Sequence, residues 1–346
     1  MRRRNIKRLR LEPLRELMVT RGQTTYRAEQ IFQWMWQKSA TDFAQMTNIS
    51  KPLRDSLSQS FTIRGLHTHT VRTAHDGAQK YVFRTTDRKY IESVFIPEQK
   101  RKTVCVSTQI GCPVHCAFCA TGRMKFTRNL KAHEIAEQAR IVQQHTHTKL
   151  TNVVFMGMGE PLLNLHETLG AIEIQSSPIG LSISQRHTTV STVGIVQGMH
   201  ALLNAPFKAK LAISLNFADE NLRNEMIPVA KKNPLKEILR IAREYSRTKS
   251  MVTFEYVMIK NLNDRLRDAR LLVTLLKGIP SKINLIPYNE HPLLPYQRPS
   301  DKRIIEFYNH LLTAPQTITL RKSRGQEIRA GCGQLAGRRA LEEGKK

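Results

Sequence analysis

The stretch Thr103-Val-Cys-Val-Ser-Thr-Gln109-Ile-Gly-Cys112-Pro-Val-His-Cys116-Ala-Phe-Cys119 decides how this chain is read. A β-branched run, Thr103 to Gln109, feeds into three cysteines spaced C-x3-C-x2-C. Thiolates at that spacing can hold three irons of a 4Fe-4S cluster and leave the fourth iron open to chelate a small molecule. Two blander readings stand beside it. Zinc could take the three sulfurs with His115 as fourth ligand, although His115 abuts Cys116 and structural zinc sites favour two separated pairs. Cys116 and Cys119 could instead form a redox pair, which leaves Cys112 idle.

Outward from this loop, strand and helix patterns alternate, as they do in a parallel sheet or barrel with crossover helices. Six strands are predicted: Thr103 to Gln109, Asn152 to Gly157, His187 to Val193, Ala209 to Leu215, Met251 to Ile259 and Lys282 to Pro287. Ala132, Ile135, Ala136, Ala139 and Val142 fall on one helical face, and Asn233-Pro234 is expected to cap another helix. Six units are too few to close an eight-strand barrel, so the expected fold is α/β, a partial (βα)6 TIM-like barrel with a side opening. Cys112, Gly159-Glu160 and Asn289 follow predicted strands, and Thr192 and Gly194, and Ser214 and Asn216, end them, where barrel enzymes place their chemistry.

Before the barrel, residues 11–61 read as helical; Tyr26 to Trp36 carries apolar residues at three- and four-residue intervals. Residues 62–97 read as an antiparallel meander, with turns at Asp76-Gly77 and Thr86-Asp87. The expected organisation is 1–61, a basic arm and small helical RNA-binding domain; 62–101, the meander as a linker; 102–335, the barrel with a catalytic C-terminal loop; and 336–346, a basic tail.

The chain has 346 residues, and 55 Lys+Arg against 28 Asp+Glu give a net charge of +27. A polyanion is the expected partner. The cations at Arg2, Arg3, Arg4, Lys7, Arg8 and Arg10 read as a flexible arm that touches phosphates. No apolar run approaches the roughly 20 residues that span a bilayer. Five cysteines without a signal peptide fit a reducing cytoplasm rather than a disulfide framework.

Gln109-Ile-Gly-Cys112 through Cys119-Ala-Thr-Gly122, Arg128-Asn129-Leu130, Met156-Gly-Met-Gly-Glu-Pro161, Ser191-Thr-Val-Gly194, Asn284 to Asn289 and Cys332-Gly-Gln-Leu335, taken in order, resemble the RlmN/Cfr family of radical S-adenosylmethionine RNA methyltransferases. The Ile96-Pro97 context near Glu92 resembles the RlmN branch more than the Cfr branch. The resemblance implies methylation at carbon 2 of an adenosine in 23S rRNA, with tRNA also a substrate of several such enzymes; carbon 8, as in Cfr-type enzymes, is the nearest alternative. A zinc-stabilised RNA-binding protein without catalysis is the alternative from another class. Carbon 2 of adenine is electron-poor and cannot attack a sulfonium methyl, so a radical must attack it; the cofactors supply that chemistry while the protein orients them.

Further roles follow from the resemblance alone. Cys112, Cys116 and Cys119 hold the cluster, and S-adenosylmethionine is used twice per turnover. Cys332 receives a methyl group from the first molecule, and the radical made from the second takes a hydrogen from it. Cys105 then releases the RNA adduct by attacking sulfur, leaving a Cys105–Cys332 disulfide that needs reduction. Glu92 accepts the ring proton. Gly159, Glu160, Ser191, Ser214, Leu215, Asn216 and Asn289 contact S-adenosylmethionine. A flavodoxin or ferredoxin is the implied electron donor, and a monomer fits so large a substrate. Read locally, the same residues are ordinary: Cys105 a core thiol, Glu92 an exposed strand carboxylate, Glu160 a helix cap, the serines and asparagines turn chemistry. The glycines around Cys332 suggest a mobile loop. Asn216 and Lys125 depart from the common family pattern, which places a histidine and a glycine there.

Overall fold

A computed structural model of the chain describes residues 3–336; Arg2 of the expected arm and residues 337–346 of the expected tail lie outside the described residues. Strand β1 (Arg4–Asn5), helices α1 (Leu11–Thr20), α2 (Thr25–Trp36) and α3 (Lys51–Ser60), and strand β2 (Phe61–Thr62) form the N-terminal unit. Ala28, Ile31, Phe32, Met35 and Trp36 turn one face of α2 into the core, as their spacing requires. The basic arm, within the described residues, is built into the fold. β1 pairs with β2, Lys7 Nζ lies 2.8 Å from Glu137 with both side chains buried, and Arg10 pairs with Glu173 at 3.1 Å. Carboxylates on helices far along the chain neutralise these charges, a partnership that no local pattern reveals.

β3 (His67–Thr73), β4 (Gln79–Arg84) and β5 (Tyr90–Pro97) form the expected antiparallel meander. It is part of the barrel sheet rather than a linker, because β5 pairs antiparallel with β6 (Lys102–Cys105). The expected strand from Thr103 to Gln109 ends at Cys105. Gln109 and Ile110 form β7, which pairs antiparallel with β8 (Arg128–Asn129) and lifts the chain off the sheet into the cysteine loop.

From here helices separate the strands: α4 (Ala132–Thr146), β9 (Asn152–Phe155), α5 (Leu165–Ser176), β10 (Thr188–Thr192), α6 (Val196–Asn204), β11 (Lys210–Ser214), α7 (Glu220–Met226), α8 (Leu235–Thr248), β12 (Val252–Met258), α9 (Leu266–Leu275), β13 (Ser281–Pro287), α10 (Asp301–Leu311) and β14 (Thr317–Leu320). The ten strands of the sheet run β14-β13-β12-β11-β10-β9-β6-β5-β4-β3. β6 and β9 to β14 are parallel and in chain order. Right-handed crossovers in unbroken order wind the sheet one way, as in a barrel, instead of reversing as in a doubly wound sheet.

The six predicted strands are present with shifted ends, and β14 adds a seventh parallel strand after α10. It escapes the sequence because it is a four-residue edge strand with no buried position. Asn233 does not cap α8. Its Oδ1 accepts the Val196 amide at the start of α6, while Glu220 Oε1 accepts the Leu235 amide that opens α8.

Candidate active site

A single cavity at the C-terminal ends of β9 to β13 is lined by Cys116, Cys119, Gly159, Glu160, Ser191, Ser214, Asn216 and Cys332. The curl of the sheet brings them together, since β9 and β13 are separated by three strands in the sheet order.

The cysteine loop is clamped from outside. Ala117 N–H donates to Met226 O at 2.9 Å, and Ala120 N–H donates to Gly333 O at 2.8 Å. Gly122 packs so closely that a Cβ there would meet Cys116 O at 2.5 Å. His115 has a left-handed φ of 56°, is exposed, and its Nδ1 lies 3.0 Å from Gly122 O. The zinc reading therefore loses its fourth ligand. Among the described residues no group of three or more His, Cys, Asp or Glu is arranged to hold a single metal ion.

Burial and mutual repulsion raise the three thiol pKa values, Cys112 to about 12. Thiols so placed ionise when a cationic group joins them. The Arg223 side chain, 1% exposed, has a buried Nε with no hydrogen-bond partner, and Cys116 is the leading charge felt by its guanidinium. One buried and two part-buried thiols, beside an unsatisfied cationic donor, fit an iron–sulfur cluster that carries net negative charge.

Glu160 projects from the turn after β9. Gly159, at φ 100°, allows the approach, because a Cβ there would lie 2.5 Å from Gln109 Cβ. Gln109 Oε1 accepts the Glu160 amide at 2.8 Å. Glu160 Oε1 accepts Leu162 N–H at 3.0 Å, the capping bond its local sequence suggested. Its Oε2 accepts Val193 N–H at 2.9 Å. Burial pushes its pKa up to about 7 against these bonds. Ser191 Oγ and Ser214 Oγ lie 3.3 Å apart. Asn216 adopts φ 58°, a conformation asparagine tolerates, and its Oδ1 accepts Val257 N–H at 3.2 Å. Leu215 is fully buried, its side chain in the core and not among the cavity-lining residues. Asn289 supports the Cys332 loop from beneath, Nδ2 donating to Cys332 O at 3.2 Å.

Cys332 also lines a second, smaller cavity together with Cys105 and Arg321. Both thiols are free. Burial pushes Cys105 up to about 12. The glycine-flanked loop is pinned rather than loose, with Gln334 Oε1 accepting Gly331 N–H and Gln334 Nε2 donating to Glu290 O. Glu92 is 1% exposed, which overturns the exposed-carboxylate reading. Its Oε2 accepts Ala336 N–H at 3.1 Å and its Oε1 lies 3.8 Å from Lys80 Nζ. Val94 and Ile96, alternate residues on the same strand face, line the second cavity.

Gln109, Arg223, Glu255 and Arg321 were missed as site residues. Gln109 stood inside the motif already quoted; the others carry no local signal. Glu255 lines the main cavity and accepts Asn284 Nδ2 at 2.7 Å.

Residues 4–63 match the ribosomal RNA large subunit methyltransferase N-terminal domain, and residues 106–272 match the radical SAM superfamily. The chain is 43% identical over 335 residues to the dual-specificity RNA methyltransferase RlmN of Geotalea uraniireducens, covering 96% of this chain and 97% of that one. The chain belongs to the RlmN family. The RlmN of Geobacter sulfurreducens is 42% identical over 96% of this chain and 92% of its own. The crystal structure of a radical SAM methyltransferase from Sphaerobacter thermophilus superposes with a TM-score of 0.90 at 39% identity, covering 96% of this chain and 99% of that one. RlmN membership favours the RlmN branch over the Cfr branch, and brings a 4Fe-4S cluster and S-adenosylmethionine as cofactors. Among the described residues no helix is long and apolar enough to cross a membrane.

Proposed function

We propose that the chain methylates carbon 2 of an adenosine in 23S rRNA, and in tRNA, by radical chemistry through a methyl group carried on Cys332. The observation that carries this reading is the position of Cys332, which lines both the cavity shared with Cys116, Cys119 and Glu160 and the cavity shared with Cys105. A sulfur that must take a methyl group on one side and surrender its adduct on the other belongs between the two.

In this reading Cys112, Cys116 and Cys119 hold the cluster. Gly159, Glu160, Ser191, Ser214 and Asn216 bind S-adenosylmethionine, with the Glu160 carboxylate facing its amino group. Leu215 contributes main chain only, and Asn289 acts through the Cys332 loop. The bound cofactors supply one-electron chemistry and the methyl group. Cys105 waits across the second cavity to free Cys332 from the RNA. Glu92 Oε1, raised in pKa by burial with Lys80 as the leading opposing charge, accepts the ring proton. The net charge of +27 supports an RNA substrate, whose phosphates favour cationic surfaces. A low-potential flavodoxin or ferredoxin supplies electrons, and the enzyme acts as a cytoplasmic monomer.

The test is anaerobic reconstitution followed by nucleoside mass spectrometry on rRNA and tRNA fragments. 2-Methyladenosine is expected. 8-Methyladenosine, or no methylated adenosine with a loaded cluster, overturns the proposal.

A further inference from the structure

Arg223 sits on α7, directly outside the cysteine loop. The Ala117 amide donates to Met226 O at 2.9 Å across this contact, and Cys116, Phe118, Phe217, Met226 and Ile227 share one apolar cluster. The guanidinium is sealed from water, at 1% exposure. One of its nitrogens, Nη2, donates to Val193 O, while Nε has no acceptor. Glu220, the acid whose charge the guanidinium feels, spends Oε1 on the Leu235 amide at 3.0 Å. Among the described residues no ion pair of Arg223 is found within salt-bridge distance. A buried cation left without a counter-charge is costly unless an anion joins it.

We infer that Arg223 sets how readily the cluster held by Cys112, Cys116 and Cys119 accepts its electron. The inference rests on those three cysteines binding the cluster, as proposed above. A 4Fe-4S cluster on three thiolates carries one net negative charge when oxidised and two after taking one electron from the reductant. No other bond forms or breaks in that step. A fixed positive charge in a dry, low-dielectric wall stabilises the doubly charged form more than the singly charged one. Burial pushes the guanidinium down to about 10, with Cys116 the leading charge that opposes the shift. Arg223 therefore stays cationic at neutral pH.

A purely mechanical role is the competing reading. Arg223 grips the Val193 carbonyl, and Val193 N–H holds Glu160, so losing the arginine could disturb the cofactor pocket alone. Two readouts separate the roles. Wild type, R223K and R223M are reconstituted anaerobically, and iron and sulfide per chain are measured. Each is then titrated with dithionite and mediators under electron paramagnetic resonance, and S-adenosylmethionine binding is measured separately. The expected result is a lower midpoint potential in R223M at equal cluster content, with R223K, which keeps the charge, nearer to wild type. Coincident potentials in all three proteins overturn the inference, as does weakened S-adenosylmethionine binding with no change in potential. Should R223M fail to load, R223Q, neutral but still a hydrogen-bond donor, takes its place: a lowered potential supports the inference and an unchanged one overturns it. A wild-type protein that builds no four-iron cluster removes the proposed function as well, whereas coincident potentials remove only this role for Arg223.

Discussion

Glu160 holds the Val193 amide through Oε2 at 2.9 Å, across the gap between the ends of β9 and β10. Two backbone donors orient the carboxylate, yet burial outweighs them and moves its pKa from 4.5 up to about 7. A carboxyl whose folded pKa lies above its unfolded one binds its proton more tightly when folded. Its stabilising contribution is complete below about 4.5 and is lost as pH rises through about 7.

The cofactor-free protein should therefore lose up to about 3 kcal/mol of stability on this account between pH 4.5 and pH 8. Urea unfolding across that range should show E160Q with a flatter profile. Affinity for S-adenosylmethionine should move the other way, rising about tenfold from pH 6 to pH 8 as the carboxylate ionises. A pH-independent affinity in wild type, or the same rise in E160Q, rules out a titrating Glu160.

Gly159→Ala should weaken S-adenosylmethionine binding by roughly tenfold or more, since a side chain at positive φ is strained by about 1–3 kcal/mol. The new methyl group would also meet Gln109 Cβ at 2.5 Å, displacing the residue whose Oε1 accepts the Glu160 amide. Equilibrium binding together with an unchanged far-ultraviolet circular dichroism spectrum checks this. Wild-type affinity in the variant contradicts it.

Lys7 and Glu137 form a buried pair that also involves Arg140, whose Nη2 is 2.5 Å from the same Glu137 Oε1. Removing one partner of a buried ion pair costs about 3 kcal/mol or more. Lys7→Met should lower the urea midpoint accordingly, and Glu137→Met should lower it further because two cations lose their counter-charge. Equal midpoints in the two variants would mean that Arg140 gains nothing from Glu137.

Cys332→Ala should abolish RNA methylation while leaving cluster content intact. Cys105→Ala should instead accumulate RNA covalently joined to Cys332, visible as a slow band on denaturing gels that nuclease collapses. Methylated RNA from Cys332→Ala, or free turnover without adduct in Cys105→Ala, rejects the two-thiol scheme.

Local pattern carried the barrel a long way, for definite reasons. Ala132, Ile135, Ala136, Ala139 and Val142 are buried on α4 as their spacing requires, and the turns at Asp76-Gly77 and after Thr86 join the meander strands. β14 was missed because it is only four residues at the sheet edge: Ile318 and Leu320 alternate with Thr317 and Thr319, but the run is too short for its period to stand out. The basic arm was misread because Glu137 and Glu173, which hold Lys7 and Arg10, lie more than a hundred residues away.

By itself the sequence determined the order of strands and helices, the three-cysteine loop and the placement of polar residues at strand ends, because periodicity and spacing are local and survive without contacts. Only the tertiary structure decided that Cys332 lies between two cavities, that Glu92 is sealed from water, and that Arg223 lacks a full set of partners. Those properties depend on segments distant in the chain meeting in a low-dielectric interior, where charge and hydrogen-bond satisfaction are set by neighbours.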